Sequence, residues 1–348
     1  MSRTAIVLFN LGGPDSLDAV RPFLLNLFGD PAIIRAPGPI RFLIARLIAK
    51  KRTPVAQEIY RHMGGRSTIL PQTEAQAQAL ERALADLGEV RCVIAMRYWH
   101  PFSDAAAAEI AAFKPDRLVL LPLYPQFSTT TVASSLTAWR KAAEARGLKV
   151  PTTALCCYPT DEGFIDAMAA LIRPKLEEAR GHGTPRLLLS AHGLPKRVVD
   201  AGDPYQWQVG ETARAIVDRL GVAGLDWNVC YQSRVGRLEW IGPSTDSEIA
   251  RAGADRVPVV VAPIAFVSEH SETLVELDIE YRKQAETAGV PHYARVPTVG
   301  THEAFIQGLA SLVRGALGRL PPKGEHPCSA DGGRICPMAH GGCALARG

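Results

Sequence analysis

The chain has 348 residues, 47% of them hydrophobic and 21% charged, with a net charge of +4. That length holds two domains of ordinary size or one large one, and the composition is that of a globular protein. The charge is too small, and no basic stripe is interleaved with aromatics, so a nucleic-acid partner is not expected. The opening residues, MSRTAIVLFNLGG, run straight into a strand-like segment without a signal peptide, and no apolar run is long enough to span a bilayer. A cytoplasmic location is expected, where disulfides are disfavoured, so the seven cysteines need another role.

Thr4–Phe9 reads as a buried strand, and Asn10–Pro14 turns out of it. The Gly-Gly turn lacks the spacing of a dinucleotide fingerprint or a P-loop. Residues 23–52 carry apolar side chains at helical spacing (Ile40, Leu43, Ile44, Leu47 and Ile48 among them) and close on Lys50-Lys51-Arg52. This stretch is either a helix packed on the core or an exposed apolar lip, with basic flanks, that rests on a membrane. Tyr60–Leu70 reads as a Gly-rich loop with Arg, Ser and Thr donors, and Gln72–Leu87 as an Ala-rich helix. Strands at Val90–Met96, Arg117–Leu121 and Val150–Cys156 then alternate with helices at Ala105–Phe113 and Val132–Arg146. Cys92 and Cys230 sit in apolar surroundings and read as core fillers.

The alternation restarts after Asp161. Helices at Phe164–Arg180, Gln206–Leu220 and Asp246–Ala252 separate strands at Arg186–Ala191, Trp227–Tyr231 and Val257–Val261. A strand at Tyr293–Val296 and a helix at His302–Leu317 follow. This pattern predicts an α/β protein of two similar doubly wound, Rossmann-like domains, with parallel sheets of about four strands each around a central cleft. The expected domains are 1–160, with the lip at 23–52, and 161–320, whose last helix has the option of packing on the first. A Cys-rich extension, 321–348, completes the chain.

The stretch after the strand at Val257–Val261 is the most informative. A helix is expected from near Ser268, with Glu272, Glu276 and Glu280 at i, i+4 and i+8. An α-helix stacks these three carboxylates on one face, about 6 Å of rise apart. They form either a hydrated acidic face or a row of acceptors for cations or protons, with His270 and Glu272 at its mouth. The position favours the second reading, because open α/β sheets bind ligands at the carboxyl ends of their strands. His192 leaves another strand end, just before Gly193 and Pro195. Alone it reads as a structural hydrogen-bonder. Paired with Glu272 it is a candidate for proton transfer or for binding a divalent ion such as ferrous iron.

LLLSAHGLP (Leu187–Pro195) and PIAFVSEHSETLVELDIEY (Pro263–Tyr281) resemble the two signature stretches of the ferrochelatases, which insert ferrous iron into a porphyrin. NLGGP (10–14), KRTP (51–54), RYWHP (97–101), LYPQFSTTT (123–131), YQSRVG (231–236) and WIGP (240–243) extend the resemblance over nearly the whole chain. It implies a chelatase-type fold around a porphyrin cleft. It also implies that His192 and Glu272 are the pair that binds iron and handles protons, and that Glu276 and Glu280 continue the acid row. Leu11, Tyr60, Arg97, Trp240 and Phe266 match pocket positions, beside His270, and Arg52 and Ser67 match positions near the propionates.

Some members of the family hold a [2Fe-2S] cluster with three cysteines of a C-terminal extension and one internal cysteine. The resemblance assigns Cys328, Cys336 and Cys343 to the extension, with Cys157 or Cys156 as the fourth ligand. Alternation along a strand would send Cys156 and Cys157 in opposite directions, so that only one serves. A tail of reduced thiols, or a zinc site using His326 or His340, are the competing readings. The expected activity is formation of protohaem from protoporphyrin IX. The alternatives are a coproporphyrin III ferrochelatase, a chelatase for another metal such as cobalt, and a non-catalytic haem or iron carrier. The acid row argues against a carrier, which needs an axial ligand and no proton relay. Expected partners are porphyrin, ferrous iron and the surface of the cytoplasmic membrane. A homodimer is compatible with the sequence.

Overall fold

The computed structural model describes residues 2–234 and 238–346. The last residues of the YQSRVG stretch, Val235 and Gly236, lie outside the described residues. The chain begins with β1 (Arg3–Asn10), α1 (Val20–Gly29), α2 (Gly38–Arg61), α3 (Ile69–Ala83), β2 (Glu89–Met96) and α4 (Ser103–Phe113). It continues through β3 (Arg117–Pro122), α5 (Val132–Ala145), β4 (Thr152–Leu155), α6 (Glu162–Arg180), β5 (Arg186–His192), α7 (Lys196–Asp200) and α8 (Tyr205–Leu220). Then come β6 (Asp226–Gln232), α9 (Thr245–Asp255), β7 (Val259–Pro263) and a π-helical segment at Glu272–Glu280. The chain closes with α10 (Tyr281–Ala288), β8 (Tyr293–Arg295), α11 (Glu303–Leu317) and β9 (Glu325–Cys328).

Two compact units result. One contains 2–157 and 310–335, the other 158–309 and 336–346. The first holds a five-stranded parallel sheet in the order β2-β1-β3-β4-β9, the second a four-stranded parallel sheet in the order β6-β5-β7-β8. Strands covered by helices on both faces must be apolar throughout, and Ala5–Phe9, Leu118–Leu121, Leu187–Leu189 and Val259–Ala262 are all buried. Each Val, Leu, Ile or Phe among them contributes about 1.5–3 kcal/mol when withdrawn from water. The order places β1 between β2 and β3, and β5 between β6 and β7. Successive connections therefore leave in opposite directions, which makes the carboxyl ends of the neighbouring strands β5 and β7 a switch point, where open α/β sheets bind ligands.

The residues beyond the Pro-Pro-Lys-Gly linker are shared between the units. β9 pairs with the edge of β4, with Leu155 opposite Cys328, and so adds a strand that the expectation of about four per sheet omitted. Arg140 on α5 grips Glu325 at 2.5 Å and holds the start of β9. The stretch Gly341–Gly342 belongs to the second unit, where Gly342 N–H donates to Gly202 O at 3.0 Å.

Helix α2 settles the two readings of residues 23–52 in favour of exposure. Only Ala45, Ala49 and Tyr60 are buried on it, whereas Ile40, Phe42, Leu43, Leu47 and Val55 are each more than half exposed. The preceding helix α1 packs inward through Val20, Phe23 and Leu24. Among the described residues no helix is long and apolar enough to cross a membrane.

Candidate active site

In the second unit the switch point gathers its side chains from three strand ends. β5 brings His192 to the surface of the sheet, half-buried at the end of an otherwise buried strand. Gly193 then donates to Gln232 O at 2.8 Å, and a β-carbon there would stand 2.9 Å from that oxygen. Only glycine lets the chain turn this closely beside β6. Trp240 lies against the same backbone, 3.4 Å from the position of that missing carbon, and its indole nitrogen is buried without a hydrogen-bond partner among the described residues.

β7 ends at Pro263, and the loop after it leads to Glu272. His192 Nδ1 lies 2.8 Å from Glu272 Oε2. The carboxylate accepts, so Nδ1 carries the proton of this bond. Burial pulls the His192 pKa down, but the Glu272 carboxylate outweighs it and holds the ring above its ordinary value, with Glu276 adding to the rise. Burial pushes Glu272 up, but the His192 charge and hydrogen bond pull harder, helped by His270, and its carboxyl sits well below the usual range. At Glu276 burial and the Glu272 charge both act upward, and its hydrogen bonds to Ser233 and Gln232 only partly oppose them. Two carboxyl groups four residues apart are thus pushed in opposite directions, an arrangement suited to passing a proton along.

Glu276 accepts from Ser233 N at 2.8 Å, Ser233 Oγ at 2.5 Å and Gln232 Nε2 at 3.1 Å. Ser190 on β5 donates to Gln232 Oε1 at 2.8 Å, which fixes the amide so that its nitrogen also reaches Glu272 O at 3.0 Å. Ser190, Gln232 and Ser233 were not singled out from sequence, although the last two lie in the YQSRVG stretch. His270 accepts from Glu272 N–H through Nδ1 at 3.0 Å, and its ring meets Phe266 edge-on with centroids 4.5 Å apart. Burial lowers the His270 pKa, against the upward pull of the Glu272 and Glu269 carboxylates.

Glu280 does not join this group. The expected α-helix is a π-helix: Tyr281 N–H bonds back to Glu276 O, five residues away. The wider turn still carries every fourth residue to much the same side, so it is the exposed position of Glu280 at the end of the segment, and not the winding, that sets it apart. Glu280 is exposed, its carboxylate makes no hydrogen bond among the described residues, and it lines a shallow surface hollow with Lys283, Gln284 and Thr287.

In the first unit Leu11 follows β1, and its carbonyl accepts from Tyr98 N–H at 2.9 Å. Tyr60 is buried with Val20, Phe23, Leu24 and Tyr98, and Leu11 and Trp99 pack against them. Ser67 is buried under the Gly12-Gly13 turn, where a β-carbon on Gly13 would meet its hydroxyl oxygen. Arg52 is half-buried on α2 and makes no hydrogen bond or ion pair among the described residues. Arg97 is committed elsewhere: Nη2 pairs with Asp30 Oδ2 at 2.7 Å and Nε donates to Ser134 Oγ at 2.6 Å. The same Asp30 oxygen accepts from Tyr98 Oη at 2.8 Å and Ser134 Oγ at 2.5 Å. Asp30, whose side chain is 2% exposed, gave no signal in the sequence.

No disulfide joins the cysteines among the described residues. β4 ends at Leu155, so Cys156 and Cys157 lie beyond the strand and alternation does not separate them. Their sulfurs are 3.3 Å apart, which corrects the expectation of opposite directions. Cys156 N–H donates to Cys328 O, and Cys157 O accepts from Ala330 N–H, so the end of β9 is stitched to both. Burial raises the Cys328 thiol pKa, Arg319 opposes this, and Cys157 adds to the rise. In the second unit Gln208 Nε2 donates to Cys336 Sγ at 3.2 Å, and Cys343 is buried. Among the described residues no three His, Cys, Asp or Glu side chains already converge as a metal-holding group.

Parallel sheets with their polar side chains collected at a switch point define a chelatase-type α/β fold. SirB from Bacillus subtilis, in a structure with Fe3+, has a similar fold, with a TM-score of 0.54 over 91% of this chain and 96% of that one at 11% identity. The ferrochelatase family model matches residues 3–317, and the chain belongs to that family. A ferrochelatase of Caulobacter vibrioides is 54% identical over 98% of this chain and 99% of its own length. One of Phenylobacterium zucineum is 52% identical over 99% of each. The activity is that of a lyase that inserts iron into a porphyrin, in haem biosynthesis.

Proposed function

We propose that the substrate is protoporphyrin IX and that His192 and Glu272 carry out the insertion. The carrying observation is the 2.8 Å bond between His192 Nδ1 and Glu272 Oε2 at the switch point. Glu272 fixes the tautomer and raises the basicity of the ring, which leaves Nε2, without a hydrogen bond among the described residues, as the proton acceptor. Iron enters a porphyrin only after two pyrrole protons leave: the neutral ring and Fe2+ give haem and two protons. His192 takes a pyrrole proton, Glu272 holds the resulting imidazolium, and Glu276, with its raised pKa, passes protons on. The same imidazole and carboxylate are the nitrogen and oxygen donors that suit ferrous iron as it arrives. Trp240 and Phe266 supply apolar wall in the second unit, and Leu11 and Tyr60 are the apolar candidates in the first. Arg52, without a hydrogen bond or ion pair among the described residues, and Ser67 are the donors for a propionate. Arg97 acts through its ties to Asp30 and Ser134 rather than as a free cation.

The exposed apolar face of α2 supports the choice of porphyrin. Residues 31–57 contain Arg35, Arg41, Arg46, Lys50, Lys51 and Arg52 and no acid, so the face suits the anionic surface of a membrane that carries an apolar substrate. Anaerobic initial rates with ferrous iron and each porphyrin test this: protoporphyrin IX should be the faster substrate. A preference for coproporphyrin III would refute it.

A [2Fe-2S] cluster held by Cys157, Cys328, Cys336 and Cys343 is the second part of the proposal. Thiolates are the donors such a cluster requires, and it would supply a one-electron centre. The backbone bonds from the end of β9 to both Cys156 and Cys157 bring Cys328 beside the internal pair, and Cys157 is taken as its ligand. Anaerobically purified protein should be brown, and Cys157→Ser should lose the visible bands that Cys156→Ser keeps. A colourless wild-type protein would remove the cluster.

A further inference from the structure

A π-helix is rare because its wide turn weakens the backbone hydrogen bonds, and it persists where surroundings hold it. The segment 272–280 carries both Glu272 and Glu276, so whatever holds its winding also aims them. Two consecutive carbonyls of the segment are gripped by side chains from outside it. Tyr293 Oη donates to Leu277 O at 2.6 Å in a buried contact, and Arg282 Nε donates to Asp278 O at 3.1 Å. Arg282 also pairs with Asp278 Oδ1 at 2.7 Å and donates to Tyr293 O at 2.9 Å. Arg295 spans the segment: Nη1 donates to Glu269 Oε1 at 2.8 Å just before it, and Nε pairs with Asp278 Oδ2 at 3.3 Å near its end. Thr298 N–H donates to that Glu269 oxygen at 3.0 Å.

Tyr293 and Arg295 both belong to β8. β8 pairs with β7, with Arg295 opposite Val261, and β7 pairs with β5, which ends in His192. The acid and the imidazole are thus referred to one rigid sheet, His192 directly and Glu272 through the side chains of β8.

We propose that Tyr293, Arg295, Arg282 and Asp278 are positioning residues, a brace that keeps 272–280 in its π winding and so sets the approach of Glu272 to His192. This rests on the reading of Glu272 as a proton-handling residue. None of the four touches the reacting atoms, so their effect falls on turnover rather than on porphyrin binding.

The test uses the full chain with Tyr293→Phe, which deletes only the hydroxyl, and Asp278→Asn, which keeps the shape and removes the charge. Steady-state insertion, hydrogen exchange of the 272–280 amides and thermal unfolding are measured on each. Loss of one hydrogen bond should lower kcat about fivefold and speed local exchange to a similar degree. KM for porphyrin should stay within about twofold, as for an interaction that matters only in the reaction step. Unchanged kcat and exchange in a folded variant would overturn the brace. So would a parallel loss of stability with kcat intact in the folded fraction. Should Tyr293→Phe fail to fold, Asp278→Asn decides by the same criteria. Glu272→Gln is run alongside: wild-type turnover there would refute the reading beneath the brace, whereas its loss with normal Tyr293→Phe would refute the brace alone.

Discussion

Glu272→Gln separates two roles that one hydrogen bond can play. The substitution keeps the shape of the side chain and removes its charge. Two unit charges 4 Å apart interact by about 4 kcal/mol at an effective dielectric of 20. The His192 and Glu272 side chains are 38% and 28% exposed, so solvent screening leaves roughly 1 kcal/mol for this pair. If Glu272 only braced the ring, its loss would cost that much, about a fivefold change in rate. A residue that moves protons in the reaction is worth about 10²–10⁴-fold. The assay is the fall of porphyrin fluorescence with ferrous iron under anaerobic conditions, with a unfolding curve of the same sample. The expected result is a loss of kcat/KM of at least about a hundredfold with stability lowered by about 1 kcal/mol. A loss of only about fivefold would refute the catalytic reasoning and leave a structural pair.

The pair also predicts a pH window. The His192 pKa is raised, so its contribution to stability is complete below its unfolded value of 6.5 and is lost as pH climbs through the folded value. That of Glu272 is lowered, so its contribution is complete above 4.5 and is lost as pH falls through the folded value. The stability difference between the wild type and Glu272→Gln should therefore be greatest between 4.5 and 6.5, and a flat difference across pH 4–8 would contradict the coupling. Asp30→Asn leaves Arg97, Tyr98 and Ser134 competing for one neutral amide in a buried site, and should cost about 3 kcal/mol in chemical denaturation. Leu43→Glu with Leu47→Glu places two acids on the bare face of α2 and should reduce co-sedimentation with anionic vesicles more than tenfold. Each leucine would otherwise contribute up to about 1.5–3 kcal/mol. Undiminished sedimentation would show that this face does not meet the bilayer.

The parallel sheets were legible in the sequence because strands buried on both faces leave continuous apolar runs such as Ala5–Phe9 and Val259–Ala262. His192, Glu272 and Glu276 were legible because they sit at strand ends within signature stretches. The π winding was not, since acids at i, i+4 and i+8 fit an α-helix as well, and the choice is made by Tyr293, Arg282 and Arg295 from elsewhere in the chain. Glu280 was grouped with Glu272 and Glu276 on spacing alone, and spacing does not report its exposure. β9 was invisible because Glu-His-Pro-Cys has neither the length nor the alternation of a strand, and becomes one by pairing with β4. Asp30 was passed over because nothing local marks an aspartate whose partners lie 67, 68 and 104 positions away.

The pairing of β9 with β4 has a bearing on shortened versions of this protein. A chain ending soon after α11 would lose more than its last thiols. It would leave the backbone donors and acceptors of Thr152–Leu155 open along one side of the first sheet. Such a chain would tend to cling to other copies through that bare margin, so poor yield of a tail-less protein would report on exposed backbone before it reported on iron and sulfur.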